Sequence, residues 1–170
     1  MRRIAALTRN PVAIALFAAL AVAGCRSQQQ VPNTAADLGL GGGAGSATPG
    51  STQEFTVSVG DRIFFDTDSS VIRSDAQATL TRQAQWLNRY PSYSITMEGH
   101  ADERGTREYN LALGARRAAA ARDFLVSQGV PANRIRTISY GKERPVAVCD
   151  DISCWSQNRR AVTVLNGAGS

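Results

Sequence analysis

The chain has 170 residues, 43% of them hydrophobic and 19% charged, which suffices for one ordinary globular core and leaves little for a second. Its formal charge of +5 arises from 19 basic and 14 acidic residues, but three arginines, Arg2, Arg3 and Arg9, sit in an N-terminal segment that reads as removable. The remaining +2, with no Lys/Arg run longer than two, argues against a polyanionic partner and therefore against nucleic acid.

Residues 1–24 read as a secretory signal peptide: the three arginines precede an apolar run from Pro11 to Ala23 that ends in small residues. A run of about 13 residues falls short of the roughly 20 that a membrane-spanning helix needs. Val22-Ala23-Gly24-Cys25 resembles a bacterial lipobox, in which the leader is cut before the cysteine and that cysteine is then acylated. Several chains on Cys25 would anchor the protein stably, because each buried methylene contributes about 0.8 kcal/mol. By resemblance to other lipoproteins, Arg26 after the cysteine, where an Asp would retain the protein at the inner membrane, implies sorting to the outer membrane.

Residues 25–53 comprise this cysteine and a flexible linker. From Arg26 the chain is built of Gln, Gly, Ala, Ser, Thr and Pro, has no aromatic residue, and cannot bury enough apolar surface to fold. A coil of about 28 residues averages roughly 30 Å between its ends. That spacing suits a tether between a membrane anchor and a working domain.

Residues 54–170 read as that domain. Phe55 to Val59 alternates like a short strand, and Arg62 to Phe65 reads as another, running into Asp66 and Asp68. A helix follows: Ser74 and Gln77 have capping-box spacing, Ala76, Leu80, Ala84 and Leu87 make an apolar stripe, and Pro91 closes it. Ser94 to Glu98 alternates as a strand that leads into Gly99-His100-Ala101-Asp102-Glu103-Arg104-Gly105. A second helix is expected from about Thr106 to Gln128, then strands at Ile135 to Tyr140 and Arg160 to Leu165, separated by a Pro- and Cys-containing stretch. This order predicts a two-layer α/β sandwich, a βαβαββ unit with helices on one face of a mixed sheet.

The polar cluster between His100 and Asn110 lies at a strand-to-helix junction, where loop side chains and unpaired amides at a helix start can meet a ligand together. On the second helix, Tyr109, Leu113, Ala120 and Phe124 share a face, and Arg117 shares it with them. A guanidinium beside a core stripe must snorkel to water or find a carboxylate. Asp102 is one candidate partner and a ligand carboxylate is another, and periodicity prefers Arg117 to Arg116 only slightly.

The run from Gly99 to Ala118, with Asp102-Glu103-Arg104-Gly105-Thr106 at its head, resembles the peptidoglycan-binding signature of OmpA-like domains. The Asp-Glu-Arg-Gly-Thr variant, the lipobox and Asn158-Arg159-Arg160-Ala161 resemble the peptidoglycan-associated lipoproteins of that family. This resemblance implies that Asp102 and Arg117 hold the zwitterionic end of diaminopimelate in the wall's stem peptide. The carboxylate would meet the ammonium, and the Arg fork would meet the carboxylate. Tyr109, Asn110 and Leu111 would line the pocket, with Phe65 and Asp66 near it. Arg160 matches a family arginine that serves structure or ligand, and Gly114 stands where the family often has Ser. The resemblance also implies a β-propeller partner and other proteins of the Tol system, acting on a surface that overlaps the wall site. Loss of co-sedimentation with purified peptidoglycan in Asp102→Ala, with an unchanged melt, is the expected signature.

A hydrolase built on Glu98, His100, Asp102 and Glu103 is the competing enzymatic reading, and a protein-binding scaffold is the other. Neighbouring positions on a strand point to opposite faces, and one His without a second gives poor metal spacing, so neither an enzyme nor a metal or cofactor site is expected. Cys149 and Cys154 are expected to pair as a disulfide in an oxidising compartment. Trp86 and Trp155 are expected in or at the edge of the core.

Overall fold

A computed structural model describes residues 47–167. The expected signal peptide, Cys25 and nearly all of the expected linker lie outside the described residues. No helix among the described residues is long and apolar enough to cross a membrane.

The first element departs from expectation. Phe55 to Val59 is not a strand: α1 covers Thr52–Glu54 and continues as a π-helical turn over Phe55–Gly60. Two buried or half-buried apolar residues four apart, Phe55 and Val59, fit a helical face as well as an alternating strand. Hydrogen bonds, two local and one from distant Trp86, favour the helix. The Ser51 hydroxyl accepts the Glu54 N–H at 3.1 Å, and the Glu54 carboxylate accepts from Gly50 N–H and Trp86 Nε1, each at 2.7 Å.

The sheet has four strands: β1 (Arg62–Phe64), β2 (Ser94–His100), β3 (Ile135–Gly141) and β4 (Arg160–Asn166), in the order β1-β4-β2-β3. β4 runs antiparallel to both neighbours, with Ile63 opposite Ala161 and Met97 opposite Thr163, while β2 and β3 are parallel. Helix α2 (Ser74–Arg89) links β1 to β2, α3 (Arg107–Ser127) links β2 to β3, and a short α4 (Ile152–Asn158) precedes β4. The mixed sheet with its helical layer is the expected sandwich; α4 was hidden in the Pro- and Cys-containing stretch.

Helix α2 starts at Ser74, the expected cap, so the cap falls one residue earlier at Arg73 and no side chain closes it; the Gln77 amide turns back to the Ile72 carbonyl instead. Helix α3 is capped by Thr106, whose hydroxyl accepts the Tyr109 N–H at 3.2 Å. Its buried face is Asn110, Leu113, Gly114, Arg117, Ala118, Ala121 and Leu125, a stripe rotated from the expected one. Tyr109 is 46% exposed, and Arg117 is at the centre of the buried face. Small residues set this rotation by letting the helix approach the sheet closely. A Cβ on Gly99 would lie 1.8 Å from the Gly114 carbonyl oxygen, and one on Gly114 would lie 2.4 Å from Ser139 Oγ. The expected Gly114 departure is thus a packing feature, in which Ser139 fills the space a side chain at 114 would need.

The core between sheet and helices is mainly apolar, built on Leu80, Leu87, Ile95, Met97, Leu125 and Val130, with Phe55, Tyr90 and Tyr93 packed around Trp86 and one buried polar pair, Thr163 donating to Gln83 Oε1 at 2.8 Å. Beyond the C-terminal end of β2 the buried residues become polar: His100, Asp102, Asn110, Arg117, Asn158, Arg159 and Arg160.

Candidate ligand-binding site

At this polar end a cavity of about 290 Å³ opens to solvent. Asp102, Arg104 and Gly105 from the β2–α3 loop form one side, Tyr109, Asn110 and Leu113 from α3 form its floor, and Thr67 and Asp68 close it. The loop is fixed by Asn110, whose amide donates to the Arg104 carbonyl at 2.7 Å and the Thr106 carbonyl at 3.1 Å. Gly105 turns the chain with φ +84°, a conformation that costs glycine little. The first-turn amides of α3, which lack intrahelical acceptors, therefore begin beside the cavity.

Asp102 is the centre of charge. It is 7% exposed, and its Oδ2 accepts from Arg104 Nη2 at 2.8 Å and from Arg159 Nη1 at 3.4 Å. Oδ1 accepts from the Arg104 backbone N–H and Nε. Burial alone would raise its carboxyl pKa, but the hydrogen bonds and charge of Arg104, aided by Arg159, hold it below the usual carboxylate range. Asp102 is therefore an anion at neutral pH. Across the cavity Asp68, in the left-handed region at φ 55°, accepts a hydrogen bond from the Tyr109 hydroxyl. That bond raises the phenol's pKa and keeps it a neutral donor.

Arg117 was expected to pair with Asp102 or to face a ligand, and the geometry differs. Its guanidinium is fully buried and donates to three backbone carbonyls: Ser69 at 2.8 Å, His100 at 2.8 Å and Asp66 at 3.1 Å. Burial lowers its pKa to about 10, the Asp102 carboxylate working against that shift, so it stays charged at neutral pH. Carbonyls of the β1–α2 loop supply what a carboxylate was expected to supply. Arg117 thus lies behind the cavity, pinning its two walls together and contributing positive charge.

The other expected residues divide similarly. Tyr109 and Asn110 line the cavity; Leu111 is not among its lining residues and is exposed, its backbone carbonyl accepting from Ser139 Oγ at 2.6 Å. Phe65 is buried beneath Arg117, whose Cζ is 5.2 Å from its ring centroid. The Asp66 side chain is exposed and pairs with Arg73 at 3.1 Å, so only its backbone serves the site. Arg160 is buried and bound to the carbonyls of Arg144 and Asn158.

The four residues of the hydrolase reading do not converge. His100 is buried, and burial with the nearby charges of Arg160 and Arg144 lowers its pKa to about 4. Its imidazole is neutral at pH 7, so the 3.5 Å approach of Glu98 is not an ion pair. Glu103 faces the other way and accepts from Trp155 Nε1. No group of three potential metal ligands occurs among the described residues. Cys149 and Cys154 are joined by a disulfide, with Cα atoms 5.6 Å apart. Trp86 is in the core, whereas Trp155 is half-buried and lies under Arg104.

Sequence reasoning missed Thr67, Asp68, Arg104, Leu113 and Arg159 as site residues. Arg104 stood inside the quoted signature but had no partner assigned to it. Asp68 lay two residues beyond the chosen Asp66, and only the loop's left-handed turn distinguishes them.

The model of the OmpA family matches residues 64–159, which run from the last residue of β1 past the end of α4 and include every residue lining the cavity. The chain is 79% identical to the peptidoglycan-associated lipoprotein of Mesorhizobium japonicum over the full length of both, and 76% identical to that of Brucella melitensis over 99% of each. A crystal structure of the peptidoglycan-associated lipoprotein from Burkholderia pseudomallei superposes with a TM-score of 0.63 at 42% identity, covering 65% of this chain and 96% of that one. The chain belongs to the OmpA family.

Proposed function

We propose that this protein is an outer-membrane lipoprotein whose domain binds peptidoglycan non-covalently and tethers the membrane to the wall. The ligand group is the free end of diaminopimelate in the stem peptide, and the observation that carries the reading is Asp102, an anion kept ionised at an open cavity beside a helix start. An ammonium would bind between Asp102 and Asp68. The ligand carboxylate would meet a guanidinium and the first-turn amides of α3. The names of the relatives support the wall as the partner. Acylated Cys25 supplies the membrane end, the linker supplies the reach, and no bond need be made or broken.

The structure alters the choice of test. Asp102→Ala would leave Arg159 buried without its carboxylate, and breaking a buried pair costs about 3–5 kcal/mol. Asp102→Asn keeps the shape and removes the charge. Full-length Asp102→Asn should lose co-sedimentation with purified peptidoglycan while its far-ultraviolet spectrum is retained; undiminished binding would remove Asp102 from the site.

A protein partner, the β-propeller of the Tol system, is proposed for the same face. An apolar groove lined by Pro145, Ala147 and Val148 also includes Glu103, the chain neighbour of the cavity-lining Asp102 and Arg104, and Val148 and the nearby Ile152 are exposed. Excess muropeptide should then compete with this partner in a pull-down, and simultaneous independent binding would contradict the overlap.

A further inference from the structure

Residues 47–60 join the expected tether to β1, and from Gly50 onward they lie along the second half of α2. Contacts pair the two segments in antiparallel order. The Gly50 carbonyl accepts from the Tyr93 hydroxyl at 2.7 Å, the Glu54 carboxylate from Trp86 Nε1 at 2.7 Å, the Val59 carbonyl from Arg82 Nε at 3.3 Å and the Gly60 carbonyl from the Gln83 amide at 2.6 Å. Phe55, 1% exposed and stacked at a tilt on Trp86, is the apolar anchor, with Val59 half-buried behind it.

This attachment and the cavity lie at opposite ends of β2. Tyr93, which holds Gly50, immediately precedes that strand, whereas Asp102 lies two residues beyond its end. β1 runs in the same direction as β2, since both are antiparallel to β4, and it leads from Gly60 into the loop of Thr67 and Asp68 that closes the cavity. A membrane anchor drawing on the tether and a wall ligand held at the cavity therefore pull the domain from its two ends. Two elements meet that load in succession and resist it differently. α1 and its π-helical turn, of 3 and 6 residues, are too short to persist by their own hydrogen bonds, and a helix drawn from its end uncoils one bond at a time. β1 is drawn along its own axis. Its ladder to β4, extended by the Thr163 N–H on the Asp61 carbonyl at 2.7 Å and the Phe65 N–H on the Arg159 carbonyl at 2.9 Å, is strained all at once.

We propose that residues 50–60 are a reserve length of tether: a strap, latched to α2 by Glu54 and Phe55, that uncoils under tension while the sheet and the cavity stay folded. The inference rests on the wall-binding reading, which supplies the load. About ten residues, at roughly 3.4 Å each when extended against 1.5 Å when helical, add up to about 20 Å of reach. Every contact that holds the strap belongs to α2 or to Tyr93, so its release exposes Phe55 and leaves Asp102, Asn110 and Arg117 with the partners described above.

The test pulls single molecules of the full, unacylated chain between Cys25 and a thiol introduced by Glu108→Cys, an exposed position in the first turn of α3. The chain should lengthen by up to about 20 Å in a reversible first step, below the force that unfolds the domain. Glu54→Ala removes the bonds from Gly50 N–H and Trp86 Nε1 and should open the strap about tenfold faster at a fixed force. Phe55→Ala should abolish the step and still bind a soluble diaminopimelate muropeptide as the wild type does. A single all-or-none rupture, an unchanged opening rate in Glu54→Ala, or loss of muropeptide binding in folded Phe55→Ala overturns the inference and leaves the wall-binding reading standing. If the wild type does not bind the muropeptide, that reading falls, and the load on the strap falls with it. Should Phe55→Ala not fold, hydrogen exchange decides: in Glu54→Ala the amides of Thr56 to Gly60 should exchange about tenfold faster while that of Leu87 is unchanged, and equal acceleration at Leu87 contradicts a local release.

Discussion

The two ends of this domain solve burial differently. At one end, Leu80, Leu87, Met97, Leu125 and Val130 make a dry core whose stabilisation scales with apolar area. At the other end, charged and polar side chains are equally buried, and each must be matched by a specific partner or it costs free energy. Two arginines use the same device: Arg117 clamps the carbonyls of Asp66, Ser69 and His100 at the polar end, and Arg134 clamps those of Leu87, Tyr90 and Tyr93 near the apolar one. At the polar end an open cavity with a buried, fixed anion, Asp102, adjoins the clamp. Stability can be obtained without such an arrangement, which is why the polar end is the place to look for a ligand.

The largest expected effect tests whether the polar clamp holds the site together. Arg117→Leu strands three carbonyls and should destabilise the domain by about 4 kcal/mol in urea unfolding, with ligand binding lost alongside. A loss under about 1 kcal/mol would mean that water replaces the guanidinium. At the apolar end, Leu87→Ala should cost about 3 kcal/mol and leave muropeptide affinity unchanged below the unfolding transition. A parallel loss of affinity would show that the two ends are coupled.

The smallest effect distinguishes the ends by pH. His100 has a folded pKa of about 4, below the ordinary 6.5, so the unfolded chain binds more protons between those values. The stability it contributes is full above pH 6.5 and is lost as pH falls toward 4. By pH 5 the loss should be about 2 kcal/mol. His100→Gln should flatten that part of the stability profile, and an unchanged slope would show that His100 is not its source.

The fold was legible because periodicity reports burial. β2, β3, β4 and α2 appear close to their expected places, since Leu80, Leu87, Ile95 and Met97 recur at helical or strand spacing. The first element was not, because Phe55 and Val59 satisfy both periods and the deciding bonds come from Gly50, Ser51 and distant Trp86. In the site, Asp102, Tyr109 and Asn110 could be read from the loop-to-helix signature. Arg117 could be located but not its partners, because backbone carbonyls leave no mark in a side-chain pattern. Arg159 and Trp155 reach the site through α4, a short helix held by a disulfide and caps that local propensity does not reveal.

Amide chemical-shift mapping of the full chain during titration with the diaminopimelate muropeptide tests the central claim most directly. The largest changes should fall at Asp68, Asp102, Gly105, Tyr109 and Asn110, leaving the core around Leu87 and Val130 unmoved. Changes centred instead on the groove of Val59, Arg82 and Arg89, or no saturable change, would contradict it.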